Sequence, residues 1–524
     1  MSIDLRGIVD GIPSRSAGNA VYTFERGRTV RRSFVELRDA VLATAERLSN
    51  AGVKPGMRVG IRSPNCYDWI VHDMALIRLQ AVTVAFTADF THWQANDLIG
   101  KYDLAMLLVG GDRPSGKREP HVYWFGGDND DVKARASTAV ESDADYRRPG
   151  LIFSSGSAGG LKGLVLNRPG IEACVDAFTM ALQPRHDDRL LLFLPISNFQ
   201  QRLMYYSALW YGFDLVVVEP VHLFRALHEL PPTILIAPPA FYETFETRFH
   251  NMPRGKQQLA RMLAQVIGWL PSAALRRRLA RRVFSPAYEA LGGNVRFMVT
   301  GMAPIKRGTL ELFAMMQLPL FETYGLIESG SVALNLPAAN RRGSVGKLLP
   351  GVRVELAKDG EILVYREEPI AVRYFECAEG ENERTFLGDA VATGDIGRFD
   401  RDGYLYLIGR KKEIIVTTGG EKVHPSVIEA DISGCPDVNR VVVFGRRSAP
   451  TLAAIVLPKQ PDDADAKRRI AQFIEQLNQE RWRNITVDNV VFTAEAFSLD
   501  NGFLRPNLKL DRNRIAAHFG TAIG

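Results

Sequence analysis

The ten residues Ser154-Ser155-Gly156-Ser157-Ala158-Gly159-Gly160-Leu161-Lys162-Gly163 hold four glycines, three serines and one lysine. Glycine lets backbone N–H groups turn toward a ligand, hydroxyls add donors, and lysine adds a point charge. That chemistry suits a polyphosphate. A Gly/Ser hairpin loop is the plainer reading of the same residues. The spacing is not that of a Walker loop, since no Gly-Lys-Ser/Thr follows four residues after a glycine. Nor is it a dinucleotide fingerprint, which needs G-x-G-x-x-G opening a helix.

Further along, Gly301-Met302-Ala303-Pro304 leaves the apolar run 296–300 sharply, which lets backbone approach a flat ring. Phe321-Glu322-Thr323-Tyr324-Gly325-Leu326-Ile327-Glu328 sets an aromatic, a glycine and a carboxylate within five residues, as an adenine platform with a metal-binding oxygen needs. Thr393-Gly394-Asp395-Ile396-Gly397 holds a carboxylate between glycines, and a carboxylate can accept both hydrogen bonds of a ribose diol. The plainer readings are a strand-end turn, a core tyrosine with a surface glutamate, and an Asp in a tight turn. Gly409-Arg410-Lys411-Lys412-Glu413 and Gly419-Gly420-Glu421-Lys422-Val423-His424-Pro425 follow. The paired glycines suit a mobile stretch of backbone that something must pass closely. Lys509 stands near the end in Asn501-Gly502-Phe503-Leu504-Arg505-Pro506-Asn507-Leu508-Lys509-Leu510-Asp511-Arg512.

In this order, from about Ser33 to Arg512, the segments resemble the motifs of the adenylate-forming superfamily. Its members include acyl-CoA synthetases, adenylation domains and luciferases, and the terminal motif is most similar to that of long-chain fatty acyl-CoA ligases. The family's phosphate loop is Thr-Ser-Gly-Thr-Thr-Gly-x-Pro-Lys-Gly, with Ser157, Ala158 and Leu161 here in place of its second and third threonines and its proline. The resemblance implies an ATP/AMP site built from Ser154, Ser155, Gly156, Ser157, Gly159, Lys162, Gly301, Met302, Ala303, Thr323, Tyr324, Gly325, Asp395 and Arg410. Tyr324 would stack on adenine and Asp395 would hold the ribose. Glu328 would hold Mg²⁺, a hard cation that prefers oxygen ligands. Lys509 would bridge the acid's carboxylate and the α-phosphate as charge builds in the transition state. Lys412 falls at the hinge position, and Gly419, Gly420 and Glu421 would line the thiol tunnel. Ile327 replaces a threonine and Ala158 another, so two phosphate-side hydroxyls are missing. Asn198, in Leu194-Pro195-Ile196-Ser197-Asn198, replaces the family's histidine at the acid pocket.

The elements that must position these groups are legible as α/β layering. Helical spacing over 33–52 and 67–80 alternates with apolar strands at 58–61 and 81–86, and a strand–helix–strand unit spans 189–218. The stretch from Asp112 to Arg148 reads as irregular surface. After residue 340, short strands at 353–356 and 361–365 separated by Asp-Gly turns predict a small antiparallel β region. A compact α+β segment follows, with a strand at 441–444 and a helix over 464–483. The expected organisation is a large N-terminal domain of layered α/β subdomains plus the β region (1–411), and a small mobile α+β domain (412–524) carrying Lys509. The basic segment 275–284 predicts a solvated helix packing Leu275, Leu279 and Val283 on the core, with a membrane or carrier-protein surface as the alternative.

The chain has 524 residues, 46% of them hydrophobic, and a formal net charge of +6. That length predicts more than one domain, and the charge fits ATP, CoA or a carrier protein rather than nucleic acid. Four scattered cysteines without a C-x-x-C pair indicate neither zinc nor a disulfide framework. The charged N-terminus and the lack of a run of ~20 apolar residues suggest a cytoplasmic protein with at most peripheral membrane contact. The resemblance thus implies ATP- and Mg²⁺-dependent activation of a fatty or aryl acid to acyl-AMP, then transfer to a thiol, CoA foremost. The residues that suit such an acid are the aromatics Tyr205, Tyr206, Trp210 and Tyr211, for which core packing is the alternative. Two other readings stay open: an acyl-AMP ligase loading the phosphopantetheine of an acyl carrier protein, and a degenerate member that binds acyl-nucleotide with little turnover.

Overall fold

The computed structural model describes residues 2–88, 94–111, 119–127, 129, 131–136, 147–155, 161–446, 449–482, 485–498, 500–504 and 510–523, with backbone alone at 154–155 and 161–162. Local signals place the elements. Ser33 opens helix Phe34–Asn50 with a capping box: its Oγ accepts from the Glu36 N–H at 3.2 Å, and Glu36 accepts the Ser33 N–H at 2.7 Å. Phe34, Leu37, Val41, Ala45 and Leu48 then repeat at helical spacing and bury one face.

Two twisted sheets carry most of the chain. In the seven-stranded sheet, strands Gly150–Ser155, Val82–Phe86, Arg58–Arg62, Met106–Val109 and Val122–Trp124 run parallel. Leu161–Leu166 returns antiparallel to Gly150–Ser155, and Ala371–Tyr374 closes that edge. In the nine-stranded sheet the parallel centre is Leu320–Leu326, Phe297–Thr300, Ile234–Ala237, Arg189–Leu192, Asp214–Val217 and Ala20–Glu25. Such strands, covered by helices on both faces, read as unbroken apolar runs. Antiparallel strands Glu361–Tyr365, Ala390–Phe399 and Leu405–Arg410 form the core of a five-stranded sheet beside them. The last part has a hairpin (Ile415–Val416 with Lys422–Val423), a sheet of Val438–Gly445, Leu452–Pro458 and Val487–Phe492, and helices Pro425–Ile432 and Ala464–Glu480. The mixed α/β architecture agrees with the sequence expectation.

Three details differ from that expectation. The region from Asp112 to Arg148 contains a sheet strand, Val122–Trp124. Tyr205, Tyr206 and Trp210 are buried in the core. Arg202 donates to Asp73 Oδ1 at 2.7 Å, the Tyr205 and Tyr206 hydroxyls both reach Asp73 Oδ2, and Arg15 stacks on Trp210. These side chains join helices Phe199–Tyr211, Tyr67–Arg78 and Ile8–Arg15 rather than line an acid pocket. Finally, helix Arg254–Gly268 was not foreseen, and the basic helix Ala273–Val283 seats its stripe only in part: Leu275 and Val283 remain exposed.

Candidate functional site

Ligands in open α/β sheets bind beyond the carboxyl ends of the parallel strands. Three strands of the parallel centre of the nine-stranded sheet deliver candidate residues there. Arg189–Leu192 runs on to Asn198, Phe297–Thr300 to Gly301, and Leu320–Leu326 carries Thr323, Tyr324 and Gly325. The strand ends approach closely. A Cβ at Gly301 would stand 2.7 Å from Thr323 Cγ2, so only glycine fits. The next residue, Met302, is exposed with φ +69, the left-handed region that a non-glycine residue rarely adopts and that is over-represented at binding sites. The pairing of Leu320–Leu326 with Gly330–Leu334 shifts register between Tyr324 and Gly325, and a Cβ at Gly325 would stand 2.6 Å from the Gly330 carbonyl oxygen. This bulge sets the direction of the tyrosine. Thr323 is tied down by its hydroxyl, which donates to the Ala333 carbonyl at 2.8 Å.

Tyr324 is buried, and its hydroxyl donates to Asp395 Oδ2 at 2.8 Å. Burial first, then the Asp395 charge, holds the phenol well above its ordinary range, so it stays a donor. Arg410 Nε pairs with Asp395 Oδ1 at 2.8 Å across the Ala390–Phe399/Leu405–Arg410 ladder. The nine-stranded and five-stranded sheets therefore meet at one carboxylate. Its peptide is held as well: the Asp395 N–H donates to Thr393 Oγ1 at 3.1 Å, and the Gly394 N–H to Glu361 Oε1 at 3.0 Å. Glu361 Oε2 pairs in turn with Lys411 Nζ at 2.7 Å, and Asp359 pairs with the same ammonium at 2.7 Å. Lys412, next along, is exposed.

Glu328 is partly buried and accepts from the Tyr374 hydroxyl at 3.0 Å. Tyr374 lies opposite Leu164, on the strand that leaves the glycine-rich loop, so this bond joins the two large sheets. Ile327 packs apolar surface on the core. Of the loop itself, Gly156, Ser157, Ala158 and Gly159 lie outside the described residues, as do the side chains of Ser154, Ser155 and Lys162. Glu322 is a residue that sequence reasoning passed over. Burial pushes its carboxyl from 4.5 up to about 7, opposed by the Gly343 N–H donating at 2.9 Å.

In the C-terminal part, Gly420 (φ +82) turns the hairpin that carries Gly419 and Glu421, and its N–H donates to the Thr417 carbonyl at 2.9 Å. His424 is half-buried beside Gly409 rather than on the open surface. Lys509 lies outside the described residues, but the base of its segment is fixed. Leu504 and Leu510 form an antiparallel bridge, and the Asp511 N–H donates to the Phe503 carbonyl at 2.9 Å. Arg512 Nη2 donates to both Glu429 oxygens, at 2.7 and 2.6 Å, as charge-assisted bonds. Asn198 is the residue before helix Phe199–Tyr211 and makes no side-chain cap there.

Comparison with known proteins follows the same lines. A model of the AMP-binding enzyme family matches residues 13–368, and one of the AMP-binding enzyme C-terminal domain matches 412–498. The long-chain-fatty-acid–CoA ligase FadD15 of Mycobacterium tuberculosis is 28% identical over 558 aligned positions, covering 93% of this chain and 91% of that one. The 2-succinylbenzoate–CoA ligase of Bacillus cereus is 24% identical, covering 79% and 80%. Among solved structures, the anthranilate CoA ligase AuaEII in complex with anthranoyl-AMP superposes with a TM-score of 0.74 at 18% identity, covering 99% and 97% of the two chains. ATP-bound MatB from Rhodopseudomonas palustris gives 0.74 at 20%, covering 99% of each. With a family model spanning two thirds of its length, this chain belongs to the AMP-binding enzyme family.

Proposed function

We propose that the protein uses ATP to activate a hydrophobic carboxylic acid, fatty or aryl, as acyl-AMP and then transfers the acyl group to a thiol, CoA foremost. The products are an acyl thioester, AMP and pyrophosphate. The observation that carries this reading is the Tyr324–Asp395–Arg410 cluster at the strand ends. It offers a buried ring for adenine and a carboxylate, oriented by two fixed partners, for a ribose diol. The relatives support the acid and the acceptor, since those named act on fatty acids, 2-succinylbenzoate and anthranilate as CoA ligases.

The site residues take the following roles in this reading. Gly301, Met302 and Ala303, with Thr323, Tyr324 and Gly325, hold the base. Asp395 and Arg410 hold the ribose, and Ser154–Lys162 the phosphates. Glu328 holds Mg²⁺. Among the described residues no three His, Cys, Asp or Glu side chains form a metal cage. Mg²⁺ usually keeps its waters and takes one or two carboxylates plus substrate phosphates, and the single oxygen-bearing Glu328 fits that mode. Bound there, the ion would neutralise phosphate charge. Lys509 meets the acid's carboxylate, Lys412 is the hinge between units 1–411 and 412–524, and Gly419–Glu421 lines the thiol path.

Pyrophosphate release from purified protein with ATP, Mg²⁺ and a panel of fatty and aryl acids tests the reading. We expect acid-dependent release, followed by thioester formation when CoA is added. ATP binding without turnover on any acid would replace the enzyme reading by the nucleotide-binding one. Thioester formation on a holo carrier protein but not on CoA would change the acceptor.

A further inference from the structure

The surface between Met252 and Phe284 inverts the usual pattern of a surface helix. Helix Arg254–Gly268 rests on the core through Ala260, Ala264 and Ile267, while its larger apolar side chains face water. Leu259 is 54% exposed, Met262 61%, Val266 53% and Trp269, at the end, 85%. At 3.6 residues per turn these four and Leu263 share one arc of about 120°. Helix Ala273–Val283 follows, with Arg277, Arg278, Arg281 and Arg282 all exposed and no acidic residue. The turn between the helices is fixed, because Arg276 Nη1 donates to the Leu270 carbonyl at 2.6 Å. From Thr247 to Tyr288 the sequence has nine Arg and Lys and no Asp or Glu. None of these residues belongs to the candidate site.

A soluble helix gains by turning large apolar groups inward, at roughly 25 cal/mol per Å² buried. Here alanines take the inner positions, so a second apolar medium is needed to cover the outer stripe. A stripe of Leu, Met and Val ending in Trp, flanked by arginines, is the composition of a helix that lies in a membrane interface. The apolar arc enters the acyl boundary, the indole sits at headgroup level, and the arginines meet lipid phosphates. An acidic protein partner would account for the arginines and leave the helix-long apolar stripe unexplained. We propose that the hairpin Arg254–Val283 docks this protein on an anionic lipid bilayer.

The test is co-sedimentation of the full-length protein with phosphatidylcholine vesicles, with and without phosphatidylglycerol. We expect retention on the anionic vesicles, weakened by salt, and a blue shift of tryptophan emission that Trp269→Phe removes. Each arginine near an anionic surface is worth roughly fivefold in partitioning, so changing Arg277, Arg278, Arg281 and Arg282 to glutamine is expected to lower it on the order of a hundredfold or more. Trp269→Ser is also expected to weaken retention. All these side chains are exposed, so thermal midpoint and acid activation in solution stay at wild-type values in the variants. Equal retention on neutral and anionic vesicles, or full retention by the four-arginine variant, would overturn the proposal. So would protection of Trp269 by a holo acyl carrier protein where vesicles give none.

Discussion

A carboxyl taken out of water keeps its proton longer unless cations or donors compensate. Asp395 has Arg410 and Tyr324, whereas Glu322 faces burial with the Gly343 N–H against it, which leaves its titration near pH 7. An acid whose folded pKa exceeds its unfolded value stabilises the fold below the unfolded pKa and loses that contribution as pH rises through the folded one. For Glu322 the window runs from 4.5 to about 7. Glu322→Gln is therefore expected to match wild type near pH 4 and to gain stability steadily above it. The gain levels off above about pH 7 at on the order of 3 kcal/mol. Denaturant midpoints across that range check it, and a pH-independent difference would refute it. The same contrast shows what could be read from residue types. Tyr324, Asp395 and Arg410 stand in short, distinctive spellings. Glu322 and Glu328 acquire their surroundings from Gly343 and Tyr374, 21 and 46 residues away, and no local pattern encodes such partners.

Element boundaries followed local chemistry where a cap or a glycine wrote them. Ser33 and Glu36 begin a helix, and Asp-Gly turns separate the late strands. The exposed stripe of Arg254–Gly268 escaped because helical periodicity reports that apolar residues share a face, not which medium covers it. The aromatics of Phe199–Tyr211 escaped for a related reason: ring content is the same in a pocket and in a core, and Asp73 decided the matter from a distant helix. The bulge at Tyr324/Gly325 is where an element most directly sets the site. Gly325→Ala would push a methyl against the Gly330 carbonyl, and forcing an extra carbon into such a space costs about 1–3 kcal/mol. We expect that loss in denaturant unfolding together with a raised KM for ATP, since Tyr324 must turn with its strand. Unchanged stability would show that the strand pair can slide apart freely.

At the scale of the molecule, the proposed reaction needs the last part of the chain to do two jobs. In that proposal Lys509 would serve the first half-reaction and the Gly419–Glu421 hairpin the second, so the two should separate by mutation. Lys509→Ala is expected to abolish pyrophosphate release yet spare thioester formation from supplied acyl-AMP and CoA. Equal loss of both, measured as initial rates, would remove the role assigned to Lys509. Arg512, three residues past the lysine, grips Glu429 on the helix that follows the hairpin.

Glu361 would give the proposed rotation a thermodynamic consequence. One of its oxygens accepts from the Gly394 N–H beside Asp395, and the other holds Lys411, one residue before the proposed pivot. A pivot state that drew Lys411 away would change the charge balance on Glu361 and, through it, the tightness of the peptide carrying Asp395. Linkage is reciprocal, so a ligand that favours one setting of Gly394 must bias the pivot by the same free energy. In the proposed reaction the nucleotide would be an effector of that rotation as well as a substrate, with one glutamate as the coupling element.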